Sequence, residues 1–208
     1  AENYAEALNM FNRLETIANS KWNTLKAYTG QMRCYFKLEN YQNAIVSAEK
    51  VKRSDIVNDV LIRDANYTIG KSNYKSNNFS QALPGLIEVA KDTKLEQGAE
   101  SKFLISDIYY QQNRKTEAEN EIMNFISTGT PYQFWLGKAF LLLSDIYIDK
   151  NDQFQAKHTL KSVVENYGNN TDGIKTEASR KLAAIEAKEK LDEKKAIDNS
   201  LQIKLNEN

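Results

Sequence analysis

A single histidine, His158, and a single cysteine, Cys34, are the side chains best suited to general-base or nucleophilic work, and neither has a companion nearby. His158 follows Ala156 by two residues and sits between Lys157 and Thr159, which reads as a surface or partly packed position. One histidine with one cysteine cannot fill a four-ligand zinc site, and a lone cysteine cannot close an internal disulfide, which leaves the redox compartment open. Cys34, next to Arg33, reads as a small core residue. Asp145 and Asp149 fall one helical turn apart, a spacing at which two carboxylates share a face. Acid–base chemistry would also need a positioned nucleophile, a metal cluster or a phosphate-cradling glycine loop, and the sequence offers none of these. The reading is therefore a non-enzyme that uses no cofactor and no metal.

The elements that carry these residues follow from composition. Only 2 Pro and 8 Gly among 208 residues leave few breaks and favour helices over sheet and loop. The hydrophobic fraction of 41% supplies a core, and 27% charge is ordinary for a globular chain. Lys+Arg and Asp+Glu balance at 28 each, so net charge gives no pull toward nucleic acid, and no nucleic-acid partner is expected. Ala139 to Leu143, the longest apolar run, is far too short to span a membrane. The sequence opens on Ala1 without a methionine or signal-like stretch, which reads as an excised or processed part of a longer product.

Self-comparison reveals a repeat. Tyr41-Gln42-Asn43-Ala44 aligns with Phe79-Ser80-Gln81-Ala82, Lys115-Thr116-Glu117-Ala118 and Gln153-Phe154-Gln155-Ala156, with alanine steps of 38, 36 and 38 and with Ala7 37 earlier. Four and seven residues after each alanine lie Phe11 and Leu14, Ala48 and Val51, Leu86 and Val89, Ile122 and Phe125, and Leu160 and Val163. Those offsets mark one buried stripe on a helix. Twelve residues ahead of each alanine stands a small or slim residue (Met32, Gly70, Ser106, Ser144), and nine ahead often an aromatic (Tyr35, Tyr109, Tyr147). Each unit thus reads as two helices joined by a short polar turn.

Ile69-Gly70 with Phe79 and Ala82-x3-Leu86, and Leu143-Ser144-x2-Tyr147 with Ala156-x3-Leu160, resemble the tetratricopeptide repeat over about residues 1–168. The period exceeds the family's 34, and the closing proline is absent. The resemblance implies an all-α, right-handed α-solenoid of helix-turn-helix repeats. In this sequence it comprises a half repeat over 1–20, four helix pairs over 21–168, and a C-terminal capping helix or helices over 169–208. Within the last segment Ile174, Ala178, Leu182 and Ile185 form one stripe, and Ile197, Leu201 and Leu205 continue at a spacing of four. An unpaired second helix at the start leads to the expectation of at least one further helix upstream. The long period is similar to that of bacterial cell-envelope members of the family, which points to the periplasm or an outer-membrane association, with the cytoplasm as the alternative.

The resemblance also implies that first helices line a concave face. Counting back fifteen from each alanine gives Thr29, Tyr67, Phe103 and Leu141; eleven gives Arg33, Lys71, Asp107 and Asp145; eight gives Phe36, Tyr74, Tyr110 and Ile148. With Lys26, Lys37 and Lys75 against Asp64, the first two pairs sum to plus four; Lys138 against Glu100, Asp107, Asp145 and Asp149 makes the last two minus three. The expected function is a scaffold that holds a protein or peptide in a groove lined by rings and graded in charge. An architectural or assembly subunit of an envelope complex, acting by self-association or end-on contacts, is the alternative. The oligomeric state is left open.

Overall fold

The computed structural model of the chain describes residues 3–206, with side chains described as far as Ala196. Every regular element among them is an α-helix. In order these are α1 (Tyr4–Ile17), α2 (Lys21–Lys37), α3 (Tyr41–Lys52), α4 (Asp59–Lys75), α5 (Phe79–Val89), α6 (Glu96–Gln111), α7 (Lys115–Thr128), α8 (Gln133–Asp149), α9 (Gln153–Asn166) and α10 (Ile174–Asn206). They form two compact units, Ala1–Pro131 and Tyr132–Asn208.

The turn inside each pair is built the same way four times. Glu39, Asn77, Asn113 and Asn151, each five residues before its alanine, adopt a left-handed φ of 58–59°. Three of the four are asparagine, the non-glycine residue that tolerates this conformation best. The residue that follows bonds back to close the first helix: Asn40 N to Tyr35 O at 2.9 Å, Asn78 N to Asn73 O at 2.8 Å, Arg114 N to Tyr109 O at 2.8 Å and Asp152 N to Tyr147 O at 2.9 Å. This is the six-to-one closure of a Schellman cap. The same residue opens the second helix, and in two cases its side chain caps it, Asn40 Oδ1 accepting from Asn43 N and Asp152 Oδ1 from Gln155 N.

Close packing of the pairs rests on small residues. Ala44, Ala82, Ala118 and Ala156 are completely buried. In the first unit α3 packs against both α2 and α4, and α5 against both α4 and α6, so second helices are sandwiched between successive pairs. Leu25, Met32, Ala48, Val51 and Ala65 form one core of this unit. α4 and α5 approach almost to backbone contact at two glycines: a Cβ on Gly85 would lie 2.5 Å from the Asn66 carbonyl oxygen, and one on Gly70 2.9 Å from Leu86 Cδ2.

In the second unit α10 packs on both α8 and α9. Ile174, Ala178 and Ile185 are buried with Leu141, Leu160 and Val163, and Leu182 is half-buried against them. The Lys157–Glu189 bond, 2.6 Å long, fastens α10 to α9 further along. The stripe of Ile197, Leu201 and Leu205 lies outside the residues whose side chains are described.

Candidate functional site

The first helices of the first unit stand side by side, α2 against α4 and α4 against α6, and a polar ladder joins them. Arg33 on α2 bonds Asp64 on α4 at 2.7 Å. One pair further along, Lys71 on α4 bonds Glu100 on α6 at 2.8 Å. Lys71 Nζ also donates to the Tyr67 hydroxyl at 2.8 Å and lies 5.1 Å from the Tyr67 ring centroid and 5.7 Å from that of Phe36. Tyr67 in turn donates to Glu100, and Tyr74 donates to Asp107 at 2.6 Å. Asp64 accepts a second bond from Gln97, and Asp107 one from Gln111. In the second unit Lys181 of α10 bonds Asp145 of α8.

This geometry corrects the sequence reading of the groove in two respects. The predicted charge gradient is not a free field: Arg33 and Lys71 pair with opposite charges on the adjacent first helix, Asp107 accepts from the Tyr74 hydroxyl of α4, and Asp145 pairs with Lys181 of α10. The predicted rings and apolar rows are not all available surface either. Phe103 and Leu141 are buried, Leu141 within the core shared with α10. Thr29 turns its hydroxyl onto the Leu25 carbonyl. Phe36 and Tyr74 are half-buried, their rings 6.1 Å from Tyr41 and Phe79 at the start of their own second helices. Tyr67, Tyr110 and Ile148 are also half-buried, while Lys37 and Lys75 stand exposed at the ends of α2 and α4. Among the described residues Lys26, Lys37 and Lys75 have no ion-pair partner, so the first unit keeps three free cations on this face.

The ladder leaves a titration signature. Burial first, and the Glu100 carboxylate second, push the Tyr67 phenol far above its ordinary value; burial and the bond to Asp107 do the same for Tyr74, and burial with Asp172 for Tyr167. An acid whose folded-state pKa is raised contributes stability that is complete below its unfolded value, near pH 10 for a phenol, and is lost as pH climbs past it. Absorbance at 295 nm should therefore show fewer than the full 11 tyrosines ionising at pH 11 while the circular dichroism stays native, with the remainder appearing together with unfolding. Full ionisation in a native spectrum would contradict the ladder.

Cys34 is buried, and burial pushes its thiol up, away from the reactive thiolate. His158 is exposed beside the Phe154 ring at 6.5 Å. Among the described residues no three His, Cys, Asp or Glu side chains gather as a metal site, and no helix is long and apolar enough to cross a membrane.

Comparison with known proteins bears on this repeated hairpin. A family model described as a tetratricopeptide repeat matches residues 133–170, which take in all of α8 and α9. The crystal structure of YrrB, a tetratricopeptide-repeat protein with an unusual peptide-binding site, superposes with a TM-score of 0.62 over 85% of this chain and 84% of that one, at 20% identity. Residues 133–170 thus match a tetratricopeptide repeat, and the chain shares the fold of a tetratricopeptide-repeat protein. No curated protein matches it by sequence.

The helical array of the first unit also holds a cleft of about 410 Å³, lined by Thr29 and Arg33 of the predicted groove rows together with residues outside them. Tyr4 and Phe11 of α1, Trp22 and Leu25 of α2, and Leu61 of α4 give it apolar walls, with Lys26 and Arg33 at its edge. Trp22 is 68% exposed, unusual for the largest apolar side chain. Extending the offset count by two helical turns beyond fifteen would have found it: twenty-two residues ahead of the alanine stand Trp22 and, in the next pair, Val60, itself exposed. α1 packs against α2 and is tied to α3 by the Glu15–Lys50 ion pair at 2.8 Å.

Proposed function

We propose that this protein is a non-catalytic interaction scaffold that captures a protein or peptide partner on the first-helix face of α2, α4 and α6, and that it prefers acidic segments. One observation carries the preference. Once the ladder has formed, the carboxylates of Asp64, Glu100 and Asp107 are each occupied by bonds within the array, whereas Lys26, Lys37 and Lys75 are left to attract a partner. Unpaired surface charge of one sign steers association and selects partners, and half-buried rings beside it supply contact area. The peptide-binding site of YrrB, a protein of the same fold, supports the class of partner.

Display selection of random peptides on the intact chain tests this reading. Recovered sequences should be net acidic, should bind more weakly as salt is raised, and should lose affinity by roughly ten-fold on the Lys37→Glu/Lys75→Glu double variant. Because both lysines are exposed, that variant should keep the parent Tm. Selection that recovers no peptide, or peptides indifferent to the charge reversal, would sink the proposal.

A further inference from the structure

The pair α4–α5 departs from the repeat at the places where the other pairs carry bulk. Nine residues ahead of the alanine stand Tyr35, Tyr109 and Tyr147, but on α4 Asn73. Sixteen ahead stand Tyr28, Lys102 and Phe140, but on α4 Asn66. In the other pairs these large side chains engage their own second helix or its core. Lys50 of α3 lies 4.9 Å from the Tyr28 ring centroid, Lys102 bonds Glu121 of α7 at 2.7 Å, and Phe140 and Tyr147 pack on the core that includes Leu160 of α9. Gly85, three after Ala82, removes bulk from α5 where the other second helices carry Ser47, Glu121 and Thr159. α3 and α5 both pack on α4, and a cleft of about 740 Å³ opens between them, floored by Asn66, Ile69 and Asn73.

The polar groups around this cleft have hydrogen bonds to offer. Among the described residues the side chains of Gln42 and Asn66 make none. Asn78 caps no helix end, unlike Asn40 and Asp152 at the same place in their pairs. Gln81 accepts from the Ser80 hydroxyl at 3.1 Å and keeps its two N–H donors. Pro84 has no N–H to give the Ser80 carbonyl one turn before it. Glu49 and Lys52 bring one charge of each sign, and Glu88 is held by Lys91 at 2.7 Å, so the cleft selects no charge.

We infer that this cleft binds an extended, uncharged peptide segment of a partner protein through the segment's main chain. None of its lining residues belongs to the first-helix rows, so it is a second site. A side-chain amide offers a donor and an acceptor in one plane, the complement of a peptide group. A helix spends its N–H and C=O groups on itself, whereas an extended chain holds both open at each residue. The α3 wall from Gln42 to Lys52 runs about 15 Å, room for about five residues of extended chain, with Ile45 and Ile69 to meet the side chains that point inward. The described ends of the chain lead elsewhere. Tyr4, at the start of α1, lines the other cleft with Lys26 and Arg33, and α10 becomes rich in Lys and Glu after Ile185, which unsuits it to a site that selects no charge.

The probe is an array of peptides built from Ala, Ser, Thr, Val and Gln, acetylated and amidated so that neither end is charged. At about eight residues each they overrun the cleft, and the array is read with the fluorescently labelled intact chain. A subset should be captured, and methylating the main-chain nitrogens of a captured peptide, which leaves its side chains in place, should abolish capture. Gln42→Leu with Gln81→Leu should weaken capture by roughly ten-fold at the parent Tm, since both residues are exposed. Asn73→Tyr, which restores the residue type of the other pairs, should fill the cleft and abolish capture while the circular dichroism stays that of the parent. If that variant does not fold, the glutamine pair decides. Lys37→Glu/Lys75→Glu should leave capture intact, and the first-helix reading stands or falls separately on its own acidic peptides. An array that yields no captured peptide would overturn the inference, as would capture that survives main-chain methylation or the glutamine pair, or that is lost on the lysine reversal. A doubling of mass in light scattering that Asn73→Tyr abolishes would place a segment of a second copy in the cleft and overturn the assignment to a partner.

Discussion

Replacing Gly85 by alanine is expected to destabilise the first unit by about 3 kcal/mol, the upper part of the range for forcing a methyl group into a packed interface. For a chain of this length that lowers Tm by about 6–12 °C. The added Cβ would lie 2.5 Å from the Asn66 carbonyl oxygen and 3.2 Å from the Gly70 amide nitrogen, both backbone atoms of α4. A flexible side chain could swing aside, but a helix backbone cannot, so α5 would have to withdraw from α4 and loosen Ala82, Leu86 and Val89 along with it. Gly168→Ala is the matched control, since a Cβ there meets nothing within 4 Å, and its Tm should stay at the parent value. Equal melting of both variants would show that α4 and α5 do not cross as closely as described.

The second large effect concerns the buried rung of the ladder. Glu100→Ala should cost about 2–3 kcal/mol by thermal or denaturant melting, somewhat below the usual range for breaking a buried ion pair because Lys71 keeps some contact with water. The variant strands Lys71 Nζ and the Tyr67 hydroxyl between α4 and α6, where Glu100 served both. The cost lies in stranding a charge rather than in losing an attraction. Lys71→Met with Glu100→Gln, which removes both charges and keeps an acceptor for Tyr67, should therefore recover most of the loss. A double variant as unstable as Glu100→Ala would mean the charge pair itself holds the two helices together.

These two sites show where sequence reasoning reached and where it stopped. Gly70 stands out in the sequence as a small residue twelve ahead of Ala82, and the structure puts it against Leu86. Gly85 carried no such mark: it falls three residues after Ala82, on the opposite side of the crossing, and its need for a bare Cα exists only once α4 lies across α5. Glu100 was counted as one of several charges in a gradient, yet it is buried with one lysine and one tyrosine drawn from another helix. Periodicity gives the direction in which a side chain leaves its own helix, but not how far away the neighbouring helix lies.

The sequence by itself determined that the chain is all helical, that its helices pair as hairpins with a period of 36 to 38, and that each pair carries an alanine with a small or slim residue twelve ahead of it. These properties are local. They follow from helical spacing, from the scarcity of proline and glycine, and from the small volume each crossing allows. Only the tertiary structure decided which charges remain available to a partner, because cancellation depends on residues far apart in sequence and on different helices, such as Arg33 with Asp64 and Lys71 with Glu100. It likewise decided that Phe103 and Leu141 are core and Trp22 is surface, since each lies on a helix whose free side is set by what packs against it. Burial is a relation between helices, and a repeat read along one chain specifies each helix before it specifies its neighbour.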